Sequence, residues 1–192
     1  MSENLSEGKN KKTEAVKEVV SFLLYIGIVL LLTYLVIHYV GQRTEVSGSS
    51  MESTLSDGDN LVVDKISYRF REPERFDIIV FPFKYEEKTY YIKRIIGMPG
   101  ETVWINEEGD IYINGEQLEE SYGLEVIDED HIGLAAQEIT LGEDEYFVMG
   151  DNRNASSDSR DPSVGNILRE DIIGRAWLRI YPFDKIGFIR HR

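Results

Sequence analysis

Two short runs hold the residues of this chain best suited to chemistry. The first is Val46-Ser-Gly-Ser-Ser-Met-Glu-Ser-Thr-Leu55; the second, with Lys93 lying 43 residues beyond Ser50, is Tyr91-Ile-Lys-Arg-Ile-Ile-Gly-Met-Pro-Gly100. A serine hydroxyl is a poor nucleophile until a base takes its proton. With no Cys and three His in 192 residues, the conventional activators are scarce, and lysine remains, provided that it is neutral. Lys93 interrupts Tyr91-Ile92 and Ile95-Ile96 in an otherwise apolar strand, and alternation turns it to the face opposite Ile92. Such a lysine either snorkels to pair with an acid or sits desolvated, where burial lowers its pKa from about 10.4 by as much as 3 to 5 units. Arg94 points to the other face and, with a pKa above about 12, cannot be the base. Considered alone, a Ser-Gly-Ser-Ser stretch such as the one holding Ser50 is more often a linker than a site.

A third cluster, Met149-Gly-Asp-Asn-Arg-Asn-Ala-Ser-Ser-Asp-Ser-Arg160, follows an expected strand and is dense in hydrogen-bonding groups. It is either a polar loop closed by Asp-Arg pairs or a support that holds the base in place. The residues themselves do not separate these readings.

The elements that must carry these clusters begin with an apolar segment. From Val19 to Val40 run 22 residues without a formal charge, about 33 Å of helix, enough for a bilayer core of about 30 Å. Its length exceeds the apolar part of a cleaved signal, and no small-residue cleavage site precedes Gly41-Gln42-Arg43, so residues 19–40 read as a transmembrane anchor. Lys9, Lys11, Lys12 and Lys17 flank its start against Arg43 alone beyond its end. The positive-inside rule then makes 1–18 a cytoplasmic tail and 41–192 an extracytoplasmic domain.

The first 40 residues carry four Lys and four Glu, so the whole formal charge of −14 falls on 41–192. A field of that sign repels phosphates, which argues against nucleic acid as a partner. Short β segments are expected at 61–63, 77–81, 90–96, 102–105, 111–113, 146–149 and 172–180, with consecutive hairpins ending at Asn114-Gly115. The outer domain is therefore mainly β. Residues 101–145 contain fifteen Asp or Glu and no Lys or Arg. Without the oxygen-ligand spacing of a calcium loop, the acidic stretch about 119–137 reads as a solvated, partly mobile loop rather than a metal site, tolerant of change. The aromatic runs Phe81-Pro-Phe83, Tyr90-Tyr91 and Tyr181-Pro-Phe183 fit either the core or an apolar rim dipping into a leaflet.

Together these features closely resemble bacterial type I signal peptidase in its Gram-positive form, a single-anchor Ser/Lys endopeptidase with an antiparallel β catalytic domain. The resemblance runs through the anchor, Ser50-Met51, Gly58-Asp-Asn-Leu-Val-Val-Asp-Lys65, Tyr91 to Gly100, Gly150 to Arg160 and Ile173-Gly-Arg-Ala176. It implies Ser50 as nucleophile, Lys93 as general base, Ser156 orienting the amine, and Asp158 with Arg160 as a structural ion pair. Asp151 belongs to the same characteristic loop. Met51, Leu55, Tyr91 and Ile92 match positions lining shallow pockets for small side chains, so cleavage after an Ala-x-Ala type motif is implied. No cofactor or metal is implied. The partners would be secretory preproteins and the lipid bilayer, with the protein-export machinery as a further candidate.

Two departures bear on that site. Many members carry a hydroxyl residue two positions before the nucleophile as a second oxyanion donor, where this chain has Gly48. The usual Pro of Ser-Met-x-Pro-Thr-Leu is Ser53, preceded by Glu52, which is expected to alter the groove. A self-cleaving repressor of Ser/Lys type would need a DNA-binding domain, for which the chain has no room. A catalytically inactive, signal-peptidase-like assembly factor or chaperone for surface structures is the alternative, and the presence of both Ser50 and Lys93 argues against it.

Overall fold

The computed structural model describes residues 3–35 and 41–189. It forms two compact units, 1–40 and 41–192. The first is helix α1, Glu3–Leu35, 33 residues or about 50 Å long. Residues Lys17–Tyr34 have mean hydropathy 1.8, and none of them is buried. The helix thus begins well before the apolar segment, while 36–40, with which the expected anchor ends, lie outside the described residues.

The second unit is antiparallel β throughout its described ladders. Its strands are β1 (Gly41–Glu45), β2 (Asn60–Asp64), β3 (Ile78–Pro82), β4 (Tyr90–Gly97), β5 (Thr102–Ile105), β6 (Ile111–Ile113), β7 (Glu116–Gln117), β8 (Ile139–Thr140), β9 (Glu145–Met149), β10 (Ile167–Leu168), β11 (Gly174–Tyr181) and β12 (Gly187–Phe188). One sheet runs β1-β2-β11-β3-β4-β9-β10, with β12 added to β11; the other runs β7-β6-β5-β8. All seven strands expected from sequence form, within two residues at each end. Asn114 (φ 53°) and Gly115 (φ 81°) both take the left-handed conformation, which a tight turn joining β6 to β7 requires.

β4 is central to the site because both its faces are buried. Ile92 packs with Met51, Leu55, Leu61, Val63, Val80 and Ala176. Ile95 packs with Ile79, Phe81, Val148 and Ile167. An interior strand between β3 and β9 has no ladder edge open to water, so its polar side chains must find partners inside.

Parts of the acidic stretch are not a free loop. Ile127, Ile132 and Ala135 are buried with Val103, Ile105 and Phe147, and backbone bonds run from Leu124 N to Asp151 O and from Leu134 N to Arg160 O. The expectation of a solvated loop is therefore corrected: apart from Glu120, which pairs with Arg153, its carboxylates face water, while Ile127, Ile132 and Ala135 close the core. The aromatic runs divide as well. Phe81 is buried, whereas Tyr90, Tyr181 and Phe183 are exposed.

Candidate active site

Ser50 stands in the turn after β1, where Met51 and Leu55 insert into the core and fix the backbone. Its carbonyl accepts the Asn152 N–H at 3.1 Å, and Asn152 Nδ2 donates to Ser49 O at 3.2 Å. Gly150 makes this approach possible, since a Cβ there would collide with Ser50 O and Ser156 Oγ. The 150s loop and the serine turn are thus locked backbone to backbone.

Lys93 projects from β4 so that Nζ lies 2.8 Å from Ser50 Oγ; it also donates to Ile92 O at 3.2 Å. The side chain is buried. Burial pushes its pKa down to about 8, the carboxylates of Asp158 and Asp151 pulling upward and Arg160 further down. A neutral amine here can accept the Ser50 proton while one N–H holds to Ile92 O.

Asp158 and Arg160 form a buried two-point pair, Nε to Oδ1 and Nη2 to Oδ2, each at 2.8 Å. Asp158 Oδ2 also accepts the Gly150 N–H at 2.9 Å, while Arg160 reaches His131 O and Arg153 O. Asp151 is not beside the amine; it holds Arg94 from the other face of β4. Ser156 Oγ is buried and has no hydrogen-bond partner among the described residues, so the structure does not join it to Lys93.

A cleft of about 290 Å³ is lined by Glu45, Tyr90, Ser50, Lys93, Ala155 and Ser157 among others. Met51, Tyr91 and Ile92 line it. Leu55 does not: at 1% exposure it is core beneath Met51. Glu52 and Ser53 are also absent from the lining. Gly48 takes φ +93° and its N–H is committed to Asp57 Oδ1 at 2.8 Å, so it offers no oxyanion donor to the cleft. The residues that sequence reasoning missed are Arg94 and Thr54, partners of Asp151; two adjacent cations in an apolar strand marked Arg94 as unusual, but nothing in the sequence pointed to its partners.

A serine hydroxyl held against a desolvated amine in a narrow cleft of an antiparallel domain is fit for acyl transfer with a lysine base. Residues 18–181 match the family described as signal peptidase, peptidase S26. Probable signal peptidase I-2 of Synechocystis is 35% identical over 98% of this chain and 86% of its own. Signal peptidase I T of Bacillus subtilis is 34% identical over 95% of this chain and 98% of its own. A solved signal peptidase I from Enterococcus faecalis is 36% identical, covering 55% of this chain and 97% of that one with a TM-score of 0.45. The chain belongs to the signal peptidase family, peptidase S26.

Proposed function

We propose that this protein is a membrane-anchored serine endopeptidase that removes signal peptides from exported preproteins, with Ser50 as nucleophile and Lys93 as general base. The observation that carries this reading is the 2.8 Å approach of a buried Lys93 amine, with a pKa near 8, to Ser50 Oγ. Lys93 takes the hydroxyl proton as Oγ bonds to the scissile carbonyl carbon, then returns it to the leaving amine as the peptide C–N bond breaks. A water then attacks the acyl carbon, giving its proton to the same amine, which passes it to Ser50 Oγ as the C–Oγ ester bond breaks, releasing the acid and restoring both residues. The Ser50 backbone N–H is the first oxyanion donor, and the second is unassigned. Asp158, Arg160 and Asp151 hold the loop, and Ser156 orients the amine once its hydroxyl turns to Nζ. Met51, Tyr91 and Ile92 leave shallow room for small side chains, favouring a small-x-small motif before the cut, with Leu55 supporting Met51 from below.

In this reading α1 anchors the protein in the cell membrane as a single span. Residues 1–18 are cytoplasmic and 41–192 extracytoplasmic, as the lysine-rich N-terminal flank favours. The test is cleavage of a radiolabelled preprotein by the full chain in lipid or detergent, alongside Ser50→Ala and Lys93→Ala, with product termini read by mass spectrometry. Cutting after small-x-small, lost in both variants, is expected. An inert wild type across several preproteins would favour the assembly-factor role, and activity surviving Lys93→Ala would refute the base.

A further inference from the structure

A second groove, of about 680 Å³, opens beside the 150s loop. Glu108, Asp110, Glu119, Glu120 and Glu125 bring five carboxylates to its lining, against Arg153 as its cation. Carboxylates alone would make a solvated face. Arg153 adds a different kind of observation. Its side chain is 3% exposed, Nη1 is bound to Glu120 Oε1 at 2.7 Å, and Nε donates to Gly150 O at 3.0 Å, yet buried Nη2 has no partner among the described residues. A buried N–H left without an acceptor is costly. Arg153 is among the residues that line the groove, so a ligand lying there that offers an acceptor completes the site once the guanidinium turns this nitrogen to it.

The two features together specify the ligand's chemistry: acceptor oxygens for Arg153 and cationic groups for the carboxylates. An extended peptide bearing Lys or Arg supplies both, through main-chain carbonyls and side chains. A bare divalent cation supplies no acceptor, and no group of three or more Asp, Glu, His or Cys suited to holding one occurs among the described residues.

The groove also adjoins the cleft. Asn154 Nδ2 donates to Val126 O at 2.9 Å, and its Oδ1 accepts the Asp128 N–H at 2.9 Å. This pins the groove's rim to the residue preceding Ala155, which lines the cleft. Arg153 and Ala155 are two residues apart, at most about 7 Å. With the residues before the cut lying along Met51, Tyr91 and Ile92, those after it leave past Ser50 toward Ala155 and Ser157. We propose that the groove is an exosite for the preprotein segment downstream of the cut, with Glu119 and Glu125 taking its Lys or Arg side chains and Arg153 a main-chain carbonyl. This rests on the peptidase reading of the cleft.

The test uses the full chain in detergent and two peptides with one small-x-small site, differing only in Lys or Gln at positions about four to eight residues beyond the cut. At low salt the Lys peptide is expected to show a KM about three- to tenfold lower at similar kcat, a difference that fades near about 0.5 M salt. Glu119→Gln with Glu125→Gln should abolish the difference. Glu138→Gln with Glu143→Gln, which removes the same charge from exposed sites outside the groove, should keep it. Equal KM values for the two peptides, or equal responses of the two double variants, would overturn the exosite while leaving the peptidase reading standing. Failure to cut either peptide would instead defeat the peptidase reading and the exosite with it.

Discussion

Arg94 and Asp151 meet through two parallel bonds, Nε to Oδ1 at 2.8 Å and Nη2 to Oδ2 at 2.7 Å, with side chains 1% and 0% exposed. Thr54 Oγ1 donates to Asp151 Oδ2 at 2.5 Å, and the Tyr122 ring lies 3.8 Å from the guanidinium carbon. β4 therefore sends adjacent cations to opposite duties. Lys93 goes to Ser50 in the cleft, while Arg94 ties the 150s loop to the sheet that presents Lys93.

Breaking that pair should cost more than removing an ordinary surface bridge, because the surviving charge has no water to turn to. Asp151→Ala is expected to lower stability by about 3–5 kcal/mol, and Asp151→Asn by less, since it keeps an acceptor and the side-chain shape. Urea denaturation of the isolated variants measures both. A wild-type midpoint for Asp151→Ala would remove the pair from the account of how the loop is held.

Lys93 gives a pH dependence with a definite sign. With a pKa near 8, the neutral fraction and hence kcat/KM should rise about tenfold between pH 7 and 9. The same shift acts on stability. The native state sheds this proton near pH 8, but the unfolded chain keeps it to about 10.5. The unfolded state binds more protons between those values, so this group's contribution to stability increases as pH rises from 8 to 10.5 and is a full penalty below 8. Lys93→Met removes a penalty of about 3 kcal/mol at pH 7 and should melt higher than wild type while being inactive. A lower melting temperature for Lys93→Met would contradict the desolvated amine.

The parts of the fold legible in sequence were those with period and punctuation: β4 through its apolar run, and β6–β7 through Asn114-Gly115. β1 escaped because Gly41-Gln-Arg-Thr-Glu45 has no apolar alternation; it is held by its register on β2 and by Arg43, whose Nε and Nη2 both reach Asn60 Oδ1. The two-residue strands β7, β8, β10 and β12 are too short to show a period. In the site, Ser50 and Lys93 were legible as residue types. The Arg94–Asp151 partnership spans 57 residues and leaves no local signal. Leu55 shows the converse limit: an apolar residue near a serine suits a pocket wall or the core beneath it, and packing alone decides.

Gly150 and Ser156 separate structural from catalytic roles. Gly150→Ala would press a methyl group on Ser50 O and Ser156 Oγ. It should cost about 1–3 kcal/mol and, by shifting Ser50, lower kcat about 100-fold. Ser156→Ala deletes a buried hydroxyl that has no partner among the described residues, so stability should stay within about 0.5 kcal/mol. If Ser156 orients the amine, kcat still falls at least about tenfold. Thermal melts and single-turnover rates on the same preparations decide this, and an unchanged kcat for Ser156→Ala would remove that residue from the mechanism.

The acidic stretch should respond unevenly to mutation, because one of its carboxylates faces inward. Burial pushes Glu120 up, but the hydrogen bond and charge of Arg153, with the N–H groups of Tyr122 and Gly123, bring its pKa below the usual 4.5. Its contribution to stability is therefore present above pH 4.5 and lost as pH falls through the lower folded value. Glu120→Ala leaves the Arg153 guanidinium, which already has one unpartnered nitrogen, without its ion-pair partner, and is expected to cost about 3 kcal/mol or more. Because Arg153 Nε also holds Gly150 O, the loss should reach the Ser50 turn and lower kcat as well. Glu129→Ala, at an exposed position in the same stretch, should change stability by less than about 0.5 kcal/mol. Equal, small effects for the two in chemical denaturation would restore the picture of a uniformly tolerant loop, whereas a selective loss at Glu120 would make this segment a buttress of the catalytic loop.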